Sequence, residues 1–387
     1  MEDTAIRFSL LRGRDDSRAT KSYGLDESGS IRKVSTPNFT GGVAETVTIT
    51  ELSEIERTIK GLKSNECIAT GVFDSSPCEI VTAYQLNDVG LETGLRSRTK
   101  QYMRQPNLGL ALLDHDIGPY MPNHLRCDSP GALMSRLQDA VPSLGMVAYS
   151  GSGSCSSSIY NTETGEPYPG GGNHVHIAIK GIDPEELRHY LVARLWLSGL
   201  GYIAFARNGA MLERTIIDSS VLSPERLIYE AEPILGEGLS RRPREWVHRG
   251  GTAFSGDLSL SDGEIAEYER LVASAKADPD NRARAEAIAA KYHEGRVAKL
   301  AEHRKISQDE AKALIPPQTA AERDGKDCIL HPDDIIEIRG QILSVAELLE
   351  RGREFDGVAM PDPVEGSDYG KTTAKFFFND GQTPCIH

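Results

Sequence analysis

Two short segments hold the residue types best suited to chemistry. Leu112-Leu113-Asp114-His115-Asp116 sets two carboxylates two positions apart, and His174-Val175-His176 sets two imidazoles at the same spacing. A third acid, Asp218, follows the apolar pair Ile216-Ile217. Strand side chains alternate between faces. Asp114 and Asp116 therefore point one way and His115 the other, and His174 shares a face with His176 while Val175, Ile177 and Ile179 line the opposite one. Two carboxylates on one face repel each other unless a positive charge lies between them. A divalent ion is the usual reason, since Mg²⁺ or Mn²⁺ is held by one or two carboxylates plus substrate phosphates. The competing account is a strand end running into an acidic turn, because Gly118-Pro119 follows directly. A histidine at a strand start is likewise more often structural than functional.

The elements that must position these residues are legible in part. The run Leu108 to Asp116 reads as a buried strand. A strand near Ile6–Leu11 precedes it, in a segment (1–45) that otherwise reads as loop. A helix capped by Thr50 runs to about Lys63 with Leu52, Ile55, Ile59 and Leu62 on one face, and strands follow at Ile68–Phe73 and Ile80–Tyr84. A helix spans about Pro130–Ala140, then a strand Met146–Tyr149. That strand opens onto a small-residue loop, Ser150 to Ser158, of the kind that frees backbone N–H groups for phosphate oxygens, although such loops are also ordinary connectors. After a second loop, Pro167 to Gly172, comes the histidine strand. Asp183-Pro184-Glu185-Glu186 then gives an N-cap, a proline at the first helical position and a glutamate at the third, and the helix carries Leu187, Leu191, Leu195 and Trp196. Further strands fall at Gly201–Ala206 and Met211–Asp218.

Arg241 to Gly263 reads as a linker, and Ser261-Asp262-Gly263-Glu264 as a capping box opening a charged helical region to Leu314, broken at Asp278-Pro279-Asp280. The tail mixes strand and helix patterns at Ile335–Ile342, Val345–Arg351 and Lys375–Phe378. No internal repeat is present. The chain therefore divides into a catalytic-sized region 1–250, a helical accessory region 251–322 and a C-terminal α/β segment 323–387.

Length and composition bound the answer. With 387 residues the chain exceeds one ordinary domain. No apolar run approaches the roughly 18 residues a membrane span needs, and the N-terminus is not a signal peptide. The six cysteines lack any Cys-x-x-Cys pair, which argues against a disulfide framework or a zinc ribbon and fits a reducing cytoplasm. The net charge of −14 opposes broad nucleic-acid binding. Local basic clusters (Arg7 to Arg18, Arg96 to Arg104, Arg241 to Arg249) are either phosphate tracks or solvated surface.

The order of these motifs resembles the archaeo-eukaryotic primase superfamily, and most closely the primase-polymerase domains at the N-terminus of phage and plasmid replication proteins. The matching residues are Leu112 to Asp116, Tyr149 to Ser152, Gly171 to His176, Leu212 to Asp218 and the trailing segment Val221 to Leu227, so the resemblance covers about residues 1–250. It implies an α/β (α+β) fold with an RRM-like primase-polymerase core on a mixed sheet, followed by the helical region. It implies that Asp114, Asp116 and Asp218 hold two Mg²⁺ or Mn²⁺ ions and that His174 meets the phosphates of an incoming nucleotide. The family's middle motif often reads Ser-x-His; here Gly172 takes the serine's place, and Ser150 or Ser152 is the candidate hydroxyl. His176, Arg214 and Arg226 are further nucleotide or template contacts. The implied function is a nucleotidyltransferase making or extending primers on single-stranded DNA from nucleoside triphosphates. Such proteins often continue into a helicase domain. No Gly-x-x-x-x-Gly-Lys-Ser/Thr loop occurs here, so the chain is expected to be an N-terminal fragment of a longer protein.

Two other readings remain open at this stage. His174-Val175-His176 matches the histidine pair of rolling-circle nickases and relaxases, for which Tyr190 on the following helix is the candidate nucleophile; that reading leaves the three acids unexplained. A single-strand-binding module would show aromatic and basic residues on its central strands, where this chain has carboxylates and histidines.

Overall fold

A computed structural model describes residues 4–14, 17–83, 85–86, 94–324, 329–368, 370–379 and 383–387. The predicted end of one strand at Tyr84, the acidic pair Asp15-Asp16 and Cys328 lie outside the described residues. The described residues form an α+β structure, and the chain divides into two compact units, Met1–Tyr202 with Arg214–Leu271, and Ile203–Glu213 with Val272–His387.

The first unit is built on a nine-stranded mixed sheet. Its strands are β1 (Ile6–Gly13), β2 (Gly42–Ile49), β3 (Glu66–Ala69), β4 (Cys78–Val81), β5 (Arg96–Ser97), β6 (Leu108–Asp116), β7 (Tyr149–Gly153), β8 (Gly172–Lys180) and β9 (Trp246–Arg249). They lie in the order β9-β7-β8-β6-β1-β2-β4-β5, with β3 also paired to β1. The pairs β1–β6 and β4–β5 are parallel and the others antiparallel. The strand with the two carboxylates is thus central, with β8 antiparallel to it along its whole length.

The period-2 alternation of β6 and β8 decides what covers each face. Leu110, Leu112 and Ala178 pack with Ile6, Phe8 and Ile68 and with Ile55 and Ile59 of α1 (Ile55–Lys60). Ala111, Leu113, Val175, Ile177 and Ile179 pack on the other side with α2 (Pro130–Ala140) and α3 (Pro184–Leu197), through Leu133, Leu137, Leu187, Leu191 and Leu195. Both helices start where the sequence says. Ser129 caps α2 by accepting from Ala132 N–H, and Asp183 caps α3 by accepting from Glu185 and Glu186 N–H, each helix with proline in its first turn.

Several segments depart from the sequence reading. Residues 22–25 and 31–35 form a hairpin where loop was expected, because strands of four and five residues are too short to show a period and the second is mostly exposed. The small-residue segment begins as strand β7 in the interior of the sheet, and its loop starts only at Ser154. Its glycine is required there, since a Cβ on Gly151 would fall 2.7 Å from Pro130 Cβ at the start of α2. The strand expected at Met146–Tyr149 is displaced accordingly, with a 3₁₀ turn over Pro142–Met146. The Arg/Gly/Ser-rich stretch after Arg241 contains the edge strand β9, paired residue for residue with β7.

The helix α4 (Asp262–Ala277) opens on the expected box, in which Ser261 and Glu264 exchange hydrogen bonds. In the second unit α5 (Pro279–Arg304) and α6 (Gln308–Leu314) pack through Val297, Leu300, Ala301, Ala311 and Ile315. A hairpin of β10 (Ile335–Ile338) and β11 (Gln341–Ser344) follows, then α7 (Val345–Glu350), around a small core of Ile336, Ile338, Leu348, Phe355 and Phe376. No helix among the described residues is long and apolar enough to cross a membrane, and the five described cysteines are free.

Candidate functional site

On the α1-covered face of the sheet the apolar residues run out toward one end. Leu110 and Leu112 give way to Asp114 and Asp116 along β6, and across the strand gap Asp114 stands opposite His174 and Asp116 opposite Gly172. The strands approach so closely here that a Cβ on Gly172 would lie 1.9 Å from the carbonyl oxygen of His115. No residue but glycine fits at this position.

His115 points away from the acids and is fully buried. Its Nδ1–H donates to the Ile216 carbonyl at 2.7 Å, and its Nε2 accepts from Cys127 N–H at 3.0 Å. Burial lowers its pKa, and these two bonds fix a neutral ring. The ring thereby pins the Ile216–Asp218 segment against β6. Ile216 and Ile217 enter the core, and Asp218 N–H donates to the Asp114 carbonyl at 2.7 Å. The three acids expected to act together are brought to one place, although one carboxylate oxygen of Asp218 is committed to Ser220 N–H at 2.9 Å.

The electrostatics follow from that crowding. The Asp116 side chain is exposed on its outer side, yet the protein packed around its carboxylate, the charge of Asp114 and, more weakly, that of Asp218 raise its pKa. Lys21 and Lys33, from the hairpin and its approach, supply positive charge toward Asp116. Asp114 is buried, and His174 Nε2 lies 3.2 Å from its Oδ1 but off the line of a hydrogen bond. That oxygen has no hydrogen-bond partner among the described residues.

His174 is held from behind by a residue the sequence reading did not single out. Its Nδ1–H donates to Glu230 Oε1 at 2.7 Å, and Glu230 Oε2 accepts from Arg244 at 2.7 Å. Burial would lower the His174 pKa, but the charges of Glu230 and Asp114 overcome it and hold the ring as an imidazolium. Burial would raise the Glu230 pKa, but His174 and Arg244 hold it far below the ordinary carboxylate range. His176 lies 3.7 Å from Glu230, and burial pushes its pKa down to about 4. Glu230 lies in Tyr229-Glu-Ala-Glu-Pro233, which has no periodicity to mark it.

Other expected contacts fall elsewhere. Ser150 and Ser152 are both buried in β7. The Ser150 hydroxyl lies 3.0 Å from His248 Nδ1, and that of Ser152 donates to the Gly153 carbonyl. His176 is buried as well. None of the three presents a polar atom for a nucleotide. Arg226 donates to Ser220 Oγ at 3.2 Å beside Asp218, and Arg214 lies upstream of Asp218 in the strand Met211–Thr215. Within the basic stretch 241–249, Arg241 and Arg244 are buried in ion pairs with Glu232 and Glu230 and are not phosphate tracks. Tyr190 packs with the α2–α3 core under the Arg194 guanidinium, on the face of the sheet opposite to His174 and His176. The structure does not bring it to the histidine pair.

Among the described residues no group of three or more His, Cys, Asp or Glu is arranged to hold a metal ion. The donors at this end of the face are the Asp114 carboxylate, whose Oδ1 lies 3.2 Å from His174 Nε2, and the Asp116 carboxylate. No family model, no curated protein and no solved structure matches the chain.

Proposed function

We propose that the first unit is a primase-polymerase, a template-dependent nucleotidyltransferase that makes or extends primers on single-stranded DNA in the replication of a phage, plasmid or other mobile element. The observation that carries this reading is the meeting of Asp114, Asp116 and Asp218 at one end of a sheet face, directly across from His174. In this reading the central strands form an RRM-like core. Asp114 and Asp116 would hold Mg²⁺ or Mn²⁺, a carboxylate donor set that suits an ion that dehydrates reluctantly, and Asp218 would serve a second ion. Bound there, the ions would supply activation of a 3′-hydroxyl and neutralisation of the departing pyrophosphate. His174, its ring fixed by Glu230, meets the triphosphate and stabilises charge that builds in the transition state. Arg226 and Arg214, on the Asp218 segment, contact triphosphate or template. The partners are template, primer and nucleoside triphosphates, with a helicase domain of the same full-length protein in related systems. The nickase reading loses its nucleophile, because Tyr190 lies behind the sheet.

The test is nucleotide incorporation on primed and unprimed single-stranded templates with Mg²⁺ or Mn²⁺. Wild type is run beside Asp114→Ala/Asp116→Ala and beside Tyr190→Phe. Extension lost only in the double aspartate variant supports the reading. Absence of incorporation by wild type, with DNA nicking abolished by Tyr190→Phe, overturns it.

A further inference from the structure

Behind the carboxylates lies a buried chain of charged groups that the proposed chemistry does not use directly. Glu230 is 1% exposed and the Arg244 side chain 4%. Glu230 Oε1 accepts from His174 at 2.7 Å, its Oε2 accepts from Arg244 at 2.7 Å, and a second Arg244 nitrogen donates to the Glu230 carbonyl oxygen. Arg244 approaches Glu232 on its far side, 3.6 Å away. Both residues come from segments outside the acid and histidine strands. Glu230 follows Ile228, whose backbone exchanges hydrogen bonds with Ile68 of β3, and Arg244 stands just before β9.

Burying a carboxylate and a guanidinium is a poor route to stability, because the desolvation of both ions offsets most of their attraction, and an apolar pair of the same volume often does as well. What such a pair supplies instead is direction. A carboxylate that accepts from one ring nitrogen of a histidine fixes the tautomer and the orientation of the other nitrogen. Here the second nitrogen is Nε2, which faces Asp114 at 3.2 Å.

We infer that Glu230, held in place by Arg244, is the positioning residue for His174: it fixes the ring so that Nε2 points at the phosphate-bearing end of a nucleoside triphosphate seated at Asp114 and Asp116. This rests on the nucleotidyltransferase reading of the same site. Glu230 does not touch substrate; its action passes through His174. Removing it frees the ring to rotate, which weakens the hold on the triphosphate and leaves the hold on template and primer intact.

The experiment compares wild type, Glu230→Gln, His174→Ala and the two combined. A fourth protein, Glu230→Gln/Arg244→Gln, leaves no buried arginine unpaired. Each is assayed for KM toward nucleoside triphosphate and toward primer–template with Mn²⁺. Direct calorimetric binding of a nucleoside triphosphate with Mn²⁺ is measured alongside, together with thermal unfolding. By analogy with the carboxylates that orient metal-ligating histidines, the loss expected from removing Glu230 is roughly 10–100-fold. Glu230→Gln should therefore raise the KM and Kd for the nucleotide by that factor and leave the KM for primer–template unchanged. His174→Ala should do the same, and the combined variant should lose no more than either alone. Glu230→Gln/Arg244→Gln should repeat the nucleotide defect with wild-type unfolding behaviour.

Nucleotide affinity unchanged in both Glu230 variants overturns the inference. So do losses that multiply in the combined variant, or equal losses toward nucleotide and primer. If wild type binds the nucleotide but incorporates none, the polymerase reading fails and the ratio of binding constants still decides the role of Glu230. If wild type does not bind the nucleotide, both fall.

Discussion

His176 offers the sharpest quantitative consequence of the buried site. Its ring is 1% exposed, neither nitrogen has a hydrogen-bond partner among the described residues, and burial pushes its pKa from 6.5 down to about 4. The folded protein therefore keeps it neutral where the unfolded chain would protonate it. Its contribution to stability is complete above pH 6.5 and is lost progressively as pH falls toward 4. With those two values, lowering the pH from 7 to 5 costs about 2 kcal/mol through this residue alone. His176→Leu removes the proton uptake, sacrifices no hydrogen bond and keeps a similar volume on a face that already holds Leu112 and Ala178. At pH 7 the variant should match wild type to within about 1 kcal/mol, and at pH 5 it should be the more stable by about 2 kcal/mol. His174 acts in the opposite sense, because a raised pKa gives stability below 6.5 that is lost as pH rises through the folded value. Both proteins carry His174, so its effect cancels in the difference. The assay is urea unfolding at the two pH values followed by tryptophan fluorescence. Both tryptophans of the chain, Trp196 and Trp246, lie in the first unit, so the signal reports that unit alone. A variant-minus-wild-type difference that does not change with pH would refute the argument.

The remaining predictions concern the frame and the acids. Gly172→Ala drives a Cβ toward the His115 carbonyl oxygen and should cost on the order of 3 kcal/mol or more in urea unfolding; a neutral result would mean that the strands separate easily there. His115→Phe leaves the Ile216 carbonyl and Cys127 N–H without partners and should cost about 2–4 kcal/mol, with loss of any activity that depends on Asp218. Mn²⁺ at 100 times its Kd should stabilise wild type by about 2.7 kcal/mol and leave Asp114→Asn/Asp116→Asn unchanged in thermal melting. Because the Asp116 pKa is raised, that stabilisation should shrink as the pH falls and its carboxylate protonates. Tyr190→Phe should leave unfolding and nucleotide incorporation as in wild type, since the ring lies on the opposite face.

Legibility varies with how local the cause is. Helices α2 and α3 are readable because a capping residue, a proline and an apolar stripe all act within a few positions. The starts of α4 and α5 are readable from their local caps as well, whereas the break that separates α6 at Lys305–Ser307 was not read from the sequence. Strand β9 is not, because its four residues become a strand only by pairing with β7, a partner about 100 positions away. Strand β7 reads as loop for a related reason: serine and glycine have weak strand preference, and the crowding by Pro130 that demands glycine is a contact between distant segments. The strand carrying Asp114 and Asp116 is evident from its apolar run and the histidine strand from its alternation, and the two-residue period gives the orientation of His115 away from the acids.

The sequence by itself therefore determined which side chains share a face: Asp114 with Asp116, His174 with His176, each set opposed to an apolar row. That follows from the two-residue period of a strand and needs no tertiary information. Only the tertiary structure decided which of those side chains meet. It set His174 across from Asp114, drew Asp218 to the same end through a buried His115, and sent Tyr190 behind the sheet. It also placed Glu230 and Arg244 behind His174, and buried Ser150, Ser152 and His176 beyond a ligand's reach. Register between strands and the packing of distant segments fix such meetings, and neither leaves a periodic mark in the chain.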